Sequence, residues 1–207
     1  MTDPSPAFEK TYRMYLAKVA GLDLEARAGL LGFTVEDGGA VVPLYGQPHR
    51  ISPAGVTDPL GAQPLHSASV VLCQYLLLAP SIEPAGGRDW VTFKDFRDAA
   101  PFVDGFVNNS ERAIARSFSG RLDVLRDACR ALGGEAPKLE VSCQLKMQFQ
   151  ALPRVPVVLL YNDEDEEFPA EATLLFERRA ERYLDMECLA ILGWMLADGL
   201  AEGRTIM

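Results

Sequence analysis

Over residues 139–150 apolar and polar residues alternate without a break: Leu139, Val141, Cys143, Leu145, Met147 and Phe149 against Glu140, Ser142, Gln144, Lys146, Gln148 and Gln150. Side chains of an extended chain point to opposite faces in turn. A period of two over about twelve residues therefore predicts a strand with one dry and one wet face. Leu152-Pro153-Arg154 turns the chain, and residues 155–161 follow as an apolar run, the pattern of a central strand covered on both sides. Pro156 has no N–H to give to a ladder, which predicts an edge or a bulge at that end. Residues 172–176 return as a further strand. A chain carrying this block must build antiparallel sheet and find helices to cover it.

The remaining elements supply that cover. Ser5-Pro6 reads as an N-cap with proline at the first helical position, and Phe8, Tyr12, Tyr15 and Val19 then share a helical face that Gly21 closes. A shorter helix over 23–31 ends at Gly32. Residues 33–36, the turn Asp37-Gly38-Gly39 and residues 40–45 read as a hairpin, since Asp-Gly supplies the positive φ such turns need. A short strand is expected over 49–52, before the turn Pro53-Ala54-Gly55. Residues 64–78 make an almost wholly apolar helix, buried on most sides. A proline- and glycine-rich loop over 80–89 precedes a short extended piece, Trp90-Val91-Thr92-Phe93. Helices then run to Leu132, one carrying the apolar set Phe102, Phe106, Ile114 and Phe118, and Gly133-Gly134 stops them. The last helix spans about 185–201. The order of elements predicts a single α+β domain over residues 1–207, with a largely antiparallel sheet of five or six strands and helices packed on it.

Composition narrows the function classes. The chain has 207 residues, 48% of them hydrophobic, and a formal net charge of −9. That charge repels phosphate backbones, so nucleic acid is not an expected partner. No stretch approaches the roughly 18 apolar residues of a membrane helix. Met1-Thr2-Asp3-Pro4 shows neither the basic nor the apolar region of a secretory signal, so the expected location is cytoplasmic. Arg178, Arg179 and Arg182 are interleaved with Glu177 and Glu181 and read as a solvated face. The four cysteines, Cys73, Cys129, Cys143 and Cys188, form no C-x-x-C pair. They read as buried free thiols rather than ligands of zinc or an iron–sulfur cluster.

The segment Asn162-Asp163-Glu164-Asp165-Glu166-Glu167 places five carboxylates in a row. Close like charges cost about 1 kcal/mol per pair in water, so something is expected to offset them. A hard cation is one candidate, because carboxylate oxygens are its natural ligands, and Asp163, Asp165 and Glu167 share the every-second-residue spacing of a calcium loop. The likeness to that loop then fails, with Phe168 where it needs glycine and Leu174 where it needs glutamate. An exposed hairpin tip that keeps a sheet edge soluble is the other reading. Phe168-Pro169 sets a rigid turn whose ring must be buried or line a cleft, and Arg154, near the other end of the hairpin, is placed to pair with one of the acids. His49 and His66 have no partner at metal-ligand spacing. No nucleophile elbow, P-loop or dinucleotide fingerprint occurs, so catalytic residues and cofactor stay unassigned.

Several of these segments together resemble the domain-of-unknown-function 3786 family. They are Leu152-Pro153-Arg154-Val155-Pro156-Val157, the run from Tyr161-Asn162-Asp163 through Phe168-Pro169-Ala170, Leu175-Phe176, the central Trp90-Val91-Thr92-Phe93-Lys94-Asp95-Phe96, and Leu132-Gly133-Gly134. The resemblance spans roughly residues 8–200. It implies a protein of anaerobic bacteria or archaea. Some relatives carry a cysteine-rich iron–sulfur segment that this chain lacks, so cluster binding is not carried over. The family has no established activity and transfers no catalytic residue. The matched residues Trp90, Phe93, Arg154, Asp165, Glu167 and Phe168 are the candidate lining of a ligand site.

Three functions remain in competition at this level. The first is a non-catalytic accessory protein of anaerobic metabolism that holds a small molecule, cofactor or protein partner in a cleft beside the acidic hairpin. The second is a divalent-metal-dependent enzyme, with Asp163, Asp165 and Glu167 gripping Mg²⁺ or Mn²⁺ and His49 as base. The third is a structural partner subunit docking through its acidic face.

Overall fold

The computed structural model describes residues 6–84 and 89–203. Ser5, the expected helix cap, lies outside them, as do the side chain of Phe8 and part of the 80–89 loop. The first sheet is built by tight turns. Asp37 and Gly38 hold positive φ, 45° and 74°, between the register partners Glu36 and Gly39. Tyr45 and Gly46 repeat the arrangement, at 47° and 78°, between Leu44 and Gln47. Both are the two-residue hairpin turns whose twist suits the flanking strands. A third reversal at Pro53-Ala54 brings Ser52 opposite Gly55. The strands β1 (Thr34–Glu36), β2 (Gly39–Leu44), β3 (Gln47–Ser52) and β4 (Gly55–Thr57) thus form an antiparallel meander.

The second sheet contains β5 (Trp90–Thr92), β6 (Leu145–Leu152), β7 (Val155–Asn162) and β8 (Glu171–Glu177), in the order β5-β8-β7-β6 and antiparallel throughout. β7 is interior and buried along nearly its whole length, as its unbroken apolar run requires. Pro156 stands opposite Gln150, and the register slips between Gln150 and Leu152, so the missing N–H falls at a bulge. The bulged residue, Ala151, turns its carbonyl to the first sheet and accepts the Tyr45 N–H at 2.9 Å. The Tyr45 hydroxyl donates to the Leu192 carbonyl at 2.7 Å. One residue in a left-handed conformation therefore ties both sheets to the last helix.

Two expectations are corrected. The strands divide into two four-stranded sheets rather than one sheet of five or six, because three tight turns make residues 34–57 self-contained while β5 joins β8 from far along the chain. The alternating segment pairs only from Leu145 onward. β7 ends opposite it, with Tyr161 facing Leu145, and residues 139–144 have no strand partner. Lys146 Nζ instead donates to the carbonyls of Leu139 and Val141, at 3.2 and 3.1 Å. Alternation specifies two faces, but a strand also needs a neighbour.

The helices are α1 (Pro6–Val19), α2 (Leu24–Leu31), α3 (His66–Leu77), α4 (Val103–Phe106), α5 (Arg112–Phe118), α6 (Leu122–Ala131) and α7 (Met186–Glu202). Asp23 caps α2, accepting from Ala26 N–H, and Asp185 caps α7, accepting from Cys188 N–H at 2.8 Å. α7 is buried along most of its length and packs on α3, α4, α5 and α6. A π turn, Val107–Glu111, links α4 to α5 and lies directly on α7. Gly193 allows that approach, since a Cβ there would stand 2.5 Å from the Phe106 ring and 2.9 Å from Ser110 Oγ. A continuous set of buried apolar side chains runs from Tyr12 on α1 to Leu200 on α7. Among the described residues no helix is long and apolar enough to cross a membrane.

Candidate functional site

The link between β7 and β8 folds as two distinct halves. In the first, Asp163 accepts from Gly120 N–H at 2.7 Å, Leu122 N–H at 3.2 Å, Glu164 N–H at 2.9 Å and the Tyr161 hydroxyl at 3.1 Å. Glu164 accepts from Ser119 Oγ at 2.7 Å. Ser119, Gly120 and Leu122 lie at the start of α6, whose own leading residue, Arg121, makes no side-chain cap. An acid from the hairpin thus caps the helix, where the helix dipole also favours negative charge. Desolvation pushes the Asp163 carboxyl up, but the bonds from Gly120, Glu164, Tyr161 and Leu122 outweigh it and hold it below the usual range.

In the second half, Asp165 accepts the N–H groups of Glu167 and Phe168 at 2.9 and 2.8 Å, and its own N–H donates to the Phe168 carbonyl. This tight turn, followed by the fixed φ of Pro169, directs Phe168 outward. The ring is 66% exposed. It borders a hollow of about 480 Å³ between the hairpin and the π turn, with Glu111, Arg112, Ala115, Pro169 and Glu171 also on its wall.

Glu111 reaches this position through the π turn. β5 pairs with β8 only as far as Leu175, and the Glu111 carboxylate accepts the next outward N–H, that of Leu174, at 3.0 Å. Burial pushes Glu111 up, the Leu174 N–H pulls it back, Glu171 adds an upward push and Lys94 a downward one, and the balance leaves it raised. Glu111 is thus a half-buried, upward-shifted carboxyl beside an exposed aromatic ring in a concavity, the kind of place where binding sites are sought.

The residues expected from sequence to line one cleft do not converge. Phe168 borders the hollow. Phe93 lies in the core, 2% exposed, stacked on Phe106 with centroids 4.2 Å apart. Trp90 is half-buried on β5 opposite Glu177. Arg154 donates to the carbonyls of Gly29 and Leu30, each at 2.9 Å, and pairs with Glu83 at 3.2 Å, so it closes the end of α2 rather than meeting the hairpin acids. Asp165 is occupied by its own turn, and the Glu167 side chain is exposed.

The structure likewise does not gather Asp163, Asp165 and Glu167 around one point. Among the described residues no three His, Cys, Asp or Glu side chains are disposed to hold a metal ion. The α6 terminus offsets the first two acids of the run, Asp163 and Glu164, and the Asp165 turn engages the third. His49 is fully buried, with Nδ1 2.9 Å from the Gln47 carbonyl, and burial pushes it below its ordinary value. A wider groove of about 820 Å³ lies at the start of α7; on its wall Asp95 is bonded to Thr92, Arg178 to Asp89 and Asp185 to Cys188 N–H.

Glu111 is the residue sequence reasoning missed. Its trace is in the apolar set Phe102, Phe106, Ile114 and Phe118, which with Ser110 between them recurs every fourth residue. An α-helix overshoots by about 40° at each such step, and one π turn takes most of that drift back.

The sequence matches the family described as Domain of unknown function (DUF3786) over residues 23–198. The chain belongs to the DUF3786 family. The match takes in both sheets, the π turn and the hairpin acids. No curated protein and no solved structure matches the chain.

Proposed function

We propose that this DUF3786 chain is a non-catalytic binding protein, an accessory of anaerobic metabolism, that seats a small molecule, cofactor or partner group in the hollow beside Phe168. The exposure of that ring over the hollow carries the reading. A phenyl side chain gains about 1.5–3 kcal/mol on burial, which the free chain forgoes and a ligand covering the ring recovers. The Asp165 turn and Pro169 fix the backbone that carries the ring beforehand, which lowers part of the ordering cost of binding.

Other features support the binding role over a catalytic one. Burial pushes the thiols of Cys73 and Cys129 up to about 12, far from a reactive thiolate. His49 is sealed inside the first sheet's packing and is no base for the hairpin. The anaerobic setting comes from the family resemblance, and four free thiols support a reducing, cytoplasmic location. The net charge of −9 argues against nucleic acid as the partner.

Ligand-observed NMR with a set of aromatic amines, aromatic acids and neutral aromatics, run on the wild type and on Phe168→Ala, tests this. Fragments that bind the wild type should lose about tenfold or more in affinity, as for a central aromatic anchor, with the melting temperature unchanged. Binding indifferent to Phe168→Ala, or no binding at all, contradicts the reading.

A further inference from the structure

The hollow has a charge character as well as a shape. Two carboxylates stand on its wall, Glu111 and Glu171. Glu111 is fixed in direction by the Leu174 N–H, while Glu171, at the start of β8, is exposed. They are close enough for Glu171 to make Glu111 harder to ionise. Among the described residues of the wall Arg112 is the one cation; its Nη1 donates to the neutral Asn108 Oδ1 at 2.7 Å, so its charge offsets one of the two acids and leaves the wall net acidic. Lys94 pulls Glu111 the other way, but it is not part of the wall. Between the acids, Val107, Ala115, Pro169 and the Phe168 ring supply apolar surface.

Resting on the binding reading above, we infer that the group seated in this hollow carries a positively charged nitrogen, an ammonium or a guanidinium, attached to an apolar body. A cation between Glu111 and Glu171 relieves their mutual repulsion and favours the charged form of Glu111. An aromatic ring within about 6 Å adds attraction through its quadrupole, and the apolar walls hold the body of the ligand. An anionic ligand would add negative charge to a wall where two carboxylates face one guanidinium. The excess of acidic residues over the whole surface works the same way, raising the local concentration of cations and repelling anions. The same group is available from a free organic amine or from a lysine or arginine side chain of a partner protein.

Three probes of nearly equal shape separate charge from shape: benzylammonium, benzyl alcohol and benzoate, titrated against the full chain by chemical-shift perturbation. Benzylammonium should bind at least about tenfold more tightly than benzyl alcohol, and benzoate should not bind. Glu171→Gln, at an exposed position, and Glu111→Gln, which keeps an acceptor for the Leu174 N–H, should each remove most of the preference for the ammonium while leaving benzyl alcohol unaffected. Equal binding of the ammonium and the alcohol, with both lost in Phe168→Ala, overturns this inference and leaves the binding reading standing. Absence of shifts at the hollow for all three probes overturns both. A capped peptide containing lysine and arginine supplies the last arm. Tighter binding of the peptide than of benzylammonium supports a protein side chain as the source, and the reverse order supports a free amine.

Discussion

Asp163 and Glu111 are two carboxyls on neighbouring elements with opposite relations to the fold. Asp163 accepts four hydrogen bonds and is held low, so its contribution to stability is present above the unfolded-state value of about 3.9 and is lost as pH falls through its lower folded-state value. Glu111 is raised by burial and by Glu171. The folded chain then holds its proton to higher pH than the unfolded chain, so stability is full below about 4.3 and declines as pH rises through the folded-state value. Asp163→Ala should therefore cost about 1 kcal/mol at pH 7, as loss of a helix cap does, and should flatten the acid limb of a pH series of thermal melts. Glu111→Gln should be neutral or stabilising at pH 7. A melting temperature lowered equally by both substitutions would contradict the assignment of one acid to the fold and the other to the site. A residue kept at a small cost to stability is what a binding site predicts.

At the scale of elements, the contact between α7 and the π turn places Glu111. Gly193 permits it, and a methyl group there would meet the Phe106 ring at 2.5 Å. Gly193→Ala should cost about 1–3 kcal/mol through overpacking, read as a lower urea midpoint at unchanged slope. An unchanged midpoint would mean that the contact is looser than described. The elements themselves were legible in sequence where the signal was local. Asp37-Gly38 gave the first hairpin, the apolar run of β7 gave an interior strand, Pro156 gave an edge or a bulge, of which the bulge is found, and Asp185 gave the start of α7. The division into two sheets was not legible, because strand pairing is decided by distant partners and β5 and β8 are far apart in the chain. For the same reason residues 139–144 carried a strand pattern without a strand. At the site, Phe168-Pro169 was readable as a rigid aromatic turn. Phe93 and Arg154 were misplaced because burial in a core and closure of a helix end select the same residue types as ligand binding.

On the scale of the whole molecule, the acidic run that dominates the sequence is divided between two tasks. Its first residues cap α6, and Asp165 makes the turn that carries Phe168 to the hollow. The account's central claim is that ligands are seated at that hollow rather than at the wider groove beside α7 or the crevice of about 260 Å³ beside Tyr45. The most direct test is an amide chemical-shift map of the full chain titrated with benzylammonium. The account predicts that the largest shifts fall at Val107, Ala115, Ala170 and Ala172. Largest shifts at Arg97, Arg182 and Glu187, or at Gln47 and Leu132, would contradict it.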